Sequence, residues 1–122
     1  MPSQSKTESL PSFLSELHEQ VGNPDVERRI SHRFEYVSAV PSLWIRRDGQ
    51  PASDDDELIL ITKDIGDGGI GFFHTSPIMV GDLLRMTLER PDAAKHEIVV
   101  EVRHCRRIGP HTFLIGARFA EA

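Results

Sequence analysis

The chain has 122 residues, 39% of them hydrophobic, which suffices for one respectable core and points to no second domain. With 14 Lys and Arg against 19 Asp and Glu, the formal net charge is -5, and this excludes the broad basic surface on which general nucleic-acid binding depends. Cys105 is the only cysteine and forms no internal disulfide, and the sequence contains neither a signal-peptide apolar core nor a membrane-spanning run. Cytoplasmic residence without membrane insertion is therefore the default expectation.

The first dozen residues, MPSQSKTESLPS, are polar, carry two prolines and are expected to be weakly ordered. In the following SFLSELHEQVGNP, Ser12 suits an N-cap, Leu14, Leu17 and Val21 fall at helical spacing, and Gly22, Asn23 and Pro24 form a stop signal. A helix of about ten residues does not hold alone in water. It docks on the rest of the chain, docks on a partner, or frays. Residues 1–24 thus read as a flexible leader with a short helix, separable from a domain over 25–122.

At the start of that domain, ERRISHRF gathers Arg28, Arg29, His32 and Arg33 within six residues. Arginine presents a planar fork of donors that matches phosphate and carboxylate oxygens and stacks on aromatic faces. By itself the cluster reads first as a solvated, charged entry to a domain, since charge runs usually face water.

Beyond Arg33 the texture is strands and turns. Phe34 to Ile45 predicts one or two strands interrupted at Pro41, RRDGQPASDDDE a hydrophilic loop, and LILITKD the next strand. Asp54, Asp55 and Asp56 lack the alternating spacing and terminal Glu of a calcium loop, so no metal is assigned. Further strand-length runs are IGFFHTS, GDLLRMTLERP, HEIVVEVRHCRRI and HTFLIGARF. Alternation places Leu84, Met86 and Leu88 on one face, Ile98, Val100 and Val102 on another, and Phe113, Ile115, Ala117 and Phe119 on a third. Six short strands with one-sided alternation predict an all-β fold, a small antiparallel barrel or sandwich.

Between strands lies KDIGDGGIGF. Four glycines in nine residues mark backbone that takes positive φ or approaches something closely, and Asp64 and Asp67 can anchor the turn. It is no dinucleotide fingerprint, because FFHTS follows where a helix should.

Taken together, ERRISHRF, DIGDGGIGF about thirty residues later, a strand opening with Gly-Asp, and a closing IGARF resemble the PilZ domain, a bacterial family of six-stranded antiparallel barrels that bind cyclic di-GMP. The family's first motif, arginine, three residues, arginine, falls on Arg29 and Arg33. Its second, Asp or Asn, any residue, Ser, two residues, Gly, falls on Asp64, Gly66 and Gly69, with Gly66 standing where the family usually has serine. The resemblance covers roughly residues 27–120.

The resemblance implies a cyclic di-GMP receptor whose arginine-rich arm closes onto the barrel. Arginines can fork onto a guanine edge, clamp a phosphate or stack beneath a base. Arg29 and Arg33 point to one side of an extended chain, and Arg28 adds a third cation that favours two stacked ligands. Asp64 can accept from guanine N1 and N2, while Gly66, Gly68 and Gly69 let main-chain amides approach. His32 is expected to face solvent, and Trp44 and Phe72 to pack in the core. No cofactor is implied beyond the ligand, and a downstream protein partner is.

Catalysis is not expected. Ser31 and His32 point to opposite faces of a strand and have no assignable carboxylate partner. The six histidines show no zinc-like pairing with Cys105. The rival reading is a PilZ-like protein-interaction adaptor that has lost nucleotide binding, for which Gly66 speaks and against which the Arg29–Arg33 pair speaks.

Overall fold

The computed structural model describes residues 9–21, 33–45 and 57–121. Expectations placed on Arg28, Arg29, Ser31, His32 and the Asp54–Asp56 triplet lie outside these residues.

One helix, α1 (Leu10–Val21), precedes seven strands: β1 (Phe34–Glu35), β2 (Ala39–Ile45), β3 (Glu57–Ile65), β4 (Gly69–His74), β5 (Leu83–Glu89), β6 (Lys95–Gly109) and β7 (Thr112–Glu121). The sheet runs β1-β3-β2-β5-β6-β7-β4, and a further pairing of β4 with β3 closes it. Strands β2 to β7 therefore form a closed six-stranded antiparallel barrel, with two-residue β1 lying beside β3 past the end of β2. Closure removes the open sheet edges that a sandwich of this size would leave.

The inward faces follow the alternation in the sequence. Leu84, Met86 and Leu88 of β5, Val100 and Val102 of β6, and Ile115 of β7 are all fully buried. Phe113 and Phe119 pack at the core's margin. The break in the first strand region falls at Tyr36–Ser38 and not at Pro41, which lies inside β2 opposite Ile59. Pairing of β2 with β5 begins only at Ser42, so on that side the proline interrupts no ladder.

Helix α1 starts earlier than its apolar spacing suggested. Ser9, not Ser12, is the cap: its Oγ accepts the Ser12 N–H at 3.2 Å. Pro11 is accommodated in the first turn, where its missing N–H has no helical partner to lose. The buried stripe is Leu10, Phe13, Leu14 and Leu17, an i, i+3, i+4, i+7 face, and Val21 is excluded from it at 37% exposure. That face joins the barrel's own core cluster.

Of the alternatives left by the sequence, the helix is docked on the barrel. Gln20 holds the β5–β6 turn from both sides, donating from Nε2 to Asp92 Oδ2 at 3.0 Å and accepting the Asp92 N–H at 3.2 Å. Arg90 pairs with Asp92 at 3.1 Å and lies 4.9 Å over the Phe13 ring. Helix α1 and the barrel thus share one core.

Candidate functional site

The second motif sits on the β3–β4 hairpin. Leu58, Leu60 and Thr62 face inward along β3, and the register with β4 then shifts between Thr62 and Asp64. This bulge at Lys63 inverts the alternation, sending Ile65 into the core and turning Asp64 to the outer face. Without it, a carboxylate would point into the barrel.

The first motif's second arginine meets Asp64 there. Phe34 pairs with Ile65 and Glu35 with Asp64, and the buried Phe34 ring fixes the chain immediately after Arg33. Arg33 Nη2 donates to Asp64 Oδ1 at 3.0 Å, and Lys63 Nζ donates to Oδ2 at 3.1 Å. Burial pushes the Asp64 carboxyl up, but hydrogen bonds from Arg33 and Lys63, reinforced by their charges, bring it below its ordinary value. Asp64 is thus held as an anion beneath two cations.

Of the motif glycines, Gly69 acts through close approach. Among the described residues, positive φ occurs at Gly81 and Ala93, which leaves the motif glycines in backbone that other residues also adopt. The Gly66 N–H donates to the Gly69 carbonyl at 2.9 Å, and the Gly68 carbonyl accepts the Phe119 N–H at 3.1 Å. A Cβ on Gly69 would collide with the Ala117 carbonyl oxygen of β7. Gly68 has open space around its missing side chain.

Of the site residues expected from sequence, Arg33, Asp64, Gly66, Gly68 and Gly69 come together at this end of the barrel. Two neighbours went unassigned. Lys63 supplies the second cation on Asp64, and Gly71 makes room for the pair, since a Cβ there would lie 2.7 Å from Asp64 Oδ1 and 3.6 Å from Arg33 Nη2. Gly71 lay within the glycine-rich stretch, but only the β3–β4 register reveals that it faces Asp64.

The aromatic candidates are elsewhere. Phe72 is fully buried, and Trp44 packs against the core while its Nε1 donates to Asp82 Oδ2 at 2.9 Å. Beside the hairpin turn opens a cavity of about 660 Å³, walled by Leu14, His18, Phe34, Asp67, Gly68 and Phe119 among others. Its size falls within the usual range for small-molecule sites. The His18 ring stacks on Phe34 at 4.6 Å and 10°, so helix α1 touches the residue that follows Arg33. Among the described residues, no cluster of His, Cys, Asp and Glu is arranged to hold a metal ion, and no helix is long and apolar enough to cross a membrane.

Comparison with known proteins places these features in a family. The family model described as "PilZ domain" matches residues 27–122. No curated protein matches the chain. Two solved structures share the fold. The Bacillus subtilis inhibitor of motility, MotI/DgrA, aligns with a TM-score of 0.58 at 18% identity, over 79% of this chain and 44% of its own. MrkH of K. pneumonia in its apo state aligns with a TM-score of 0.53 at 19% identity, over 77% of this chain and 45% of its own. The chain therefore spans less than half the length of either structure. With the closed barrel, the Arg33–Asp64 contact and the family match over most of its length, the chain belongs to the PilZ domain family.

Proposed function

We propose that this chain is a cyclic di-GMP receptor that signals without catalysis. Ligand binding draws the arm carrying Arg28, Arg29 and Arg33 onto the barrel, and the rearranged surface is read by a downstream protein. The observation that carries this reading is the 3.0 Å contact between Arg33 and Asp64, which joins the two family motifs on one face of the barrel. It brings a guanidinium fork for phosphate or a guanine edge beside a carboxylate suited to guanine N1 and N2.

Closure signals only if the partner distinguishes the open arm from the closed one. Arg28 brings a third cation to the arm and favours capture of two stacked ligands per chain. The reading assigns no metal, cofactor or nucleic-acid partner, and it places the receptor in the cytoplasm, in keeping with a single cysteine.

A second reading, an interaction adaptor that no longer binds nucleotide, is favoured by Gly66 in the position where the family carries serine. Calorimetric titration with cyclic di-GMP separates the two. The receptor gives a saturable heat that weakens by roughly one to two decades in Arg29→Ala, the cost of one charge-assisted contact. The adaptor gives no heat at any ligand concentration.

A further inference from the structure

The outward residues of β3 form a short alternating series that neither family motif uses. Glu57, Ile59, Ile61 and Lys63 are exposed, while Leu58, Leu60 and Thr62 between them turn to the core. Ile59 is 60% and Ile61 43% exposed, side by side on one face of the strand. The neighbouring strands widen this apolar strip. Exposed Pro41 and Ala39 of β2 lie opposite Ile59 and Ile61, and half-buried Phe73 of β4 lies opposite Ile61 from the other side. These apolar side chains meet with no charge among them, as at the centre of a protein interface. Strand β3 is already paired with β2 and β1 on one side and with β4 on the other, so it offers no open edge, and whatever covers the strip must do so through side chains.

We propose that a second copy of this chain covers the strip, related to the first by a two-fold axis that crosses β3 at Leu60. The outward series carries a carboxylate at one end, Glu57, and an ammonium at the other, Lys63, with only Ile59 and Ile61 between them. An axis at Leu60 sets Ile59 of each copy against Ile61 of the other and Glu57 of each against Lys63 of the other. A contact between identical surfaces must be self-complementary in this way. Lys63 Nζ already donates to Asp64 Oδ2 at 3.1 Å, but its side chain is 49% exposed, and an ammonium has three donors, so it can serve a second carboxylate as well. The series spans about 20 Å along the strand. The outer surface of a closed barrel is convex, so two copies touch along this strip and little beyond it. The contact therefore belongs to the small, reversible class of interface, and the dimer forms as concentration rises.

Sedimentation equilibrium of the full chain, without ligand and over a concentration series reaching the millimolar range, tests this. The average mass should rise from monomer towards dimer and no further, because a two-fold contact closes on itself. Ile59→Thr keeps a β-branched residue at an exposed strand position, so it should preserve the melting temperature while weakening the dimer at least about tenfold, each dimer losing two isoleucine contacts. Glu57→Lys should weaken it several-fold by opposing lysines at both ends of the strip. Combining Glu57→Lys with Lys63→Glu exchanges the charges and should restore the wild-type dissociation constant. A chain that stays monomeric at every concentration overturns the proposal and leaves the strip for a different protein to cover. A dimer that keeps its affinity in Ile59→Thr overturns it too, as does one that the double exchange weakens further than Glu57→Lys alone.

Discussion

Arg33 and Asp64 lie 31 positions apart in sequence and are joined at 3.0 Å on the outer face of the barrel, with their side chains 41% and 23% exposed. A pair this open to water contributes only about 0–1 kcal/mol to folding. Its value to a ligand is larger, because a charge-assisted contact removed from a binding site costs about 1.5–3 kcal/mol. Arg33→Ala should therefore leave the melting temperature nearly unchanged while weakening cyclic di-GMP binding by roughly one to two decades. Differential scanning calorimetry and a binding titration on the same sample check both halves. A large fall in melting temperature with unchanged affinity would make the pair structural.

Substitutions at two motif glycines should fail for different reasons. Gly69→Ala drives a Cβ into the Ala117 carbonyl, a backbone atom that cannot swing aside, so the β4–β7 ladder must move and the melting temperature should fall by several degrees. Gly71→Ala presses instead on the Asp64 carboxylate, a side chain that can rotate. Its stability should hold, and its ligand affinity should drop with the loss of the Arg33 contact. Thermal melts and titrations of both variants distinguish the two patterns.

Gly66→Ser restores the hydroxyl that the family carries. Since positive φ among the described residues occurs at Gly81 and Ala93, serine at position 66 meets no left-handed backbone. It should add a hydrogen bond worth about 0.5–1.5 kcal/mol, tightening binding roughly two- to tenfold at unchanged melting temperature. Unchanged binding with unchanged melting would place residue 66 outside the ligand contacts.

Helix α1 is the element whose role the sequence left most open. Its apolar spacing was legible, but where the stripe would be buried was not, because a short amphipathic helix reads the same whether it docks on its own barrel or on a partner. Phe13 and Leu17 are fully buried within the barrel's core cluster. The leader is therefore expected to matter for stability, although it carries no family motif. Phe13→Ala should cost about 3–5 kcal/mol, and deleting residues 1–24 should lower the denaturant midpoint further. A truncated chain with the full-length midpoint would show that the helix adds nothing to the barrel.

Acid should loosen the structure at both the β3–β4 and the β5–β6 hairpins. Asp92 is held at about 2, first by the Arg90 hydrogen bond and then by those of the Ala94 amide and Gln20, and Asp64 also lies below its ordinary 3.8. Carboxyls depressed in the folded state contribute stability that is complete above the unfolded value and is lost as pH falls through the folded one. Stability should therefore stay level with respect to these two groups above about pH 5 and decline between about pH 4 and pH 2. Asp92→Asn should flatten part of that decline in a series of chemical melts. An equally steep decline in the variant would contradict the assignment.

The barrel was legible because alternation at Leu84, Met86 and Leu88 and at Ile98, Val100 and Val102 needs only the two-residue period of a strand. Alternation alone left barrel and sandwich open, since they share that period; closure was expected only from the resemblance to the PilZ barrel, and the β3–β4 pairing bears it out. The site divides along the same line. Arg33, Asp64 and the motif glycines were recognisable from residue type and order. Lys63 and Gly71 depend on a bulge and on cross-strand register, which no local pattern in the sequence encodes.

The central claim is that ligand sits where the two motifs meet, and backbone amide shifts read that most directly. Titrating isotopically labelled full-length chain with cyclic di-GMP should move the amides of Asp64, Gly66, Gly68, Gly69 and Gly71 together along one saturation curve, with the β6–β7 turn around Gly109, at the opposite end of the barrel, unmoved. No change at high ligand concentration, or changes confined to the β6–β7 turn at the opposite end of the barrel, would contradict it.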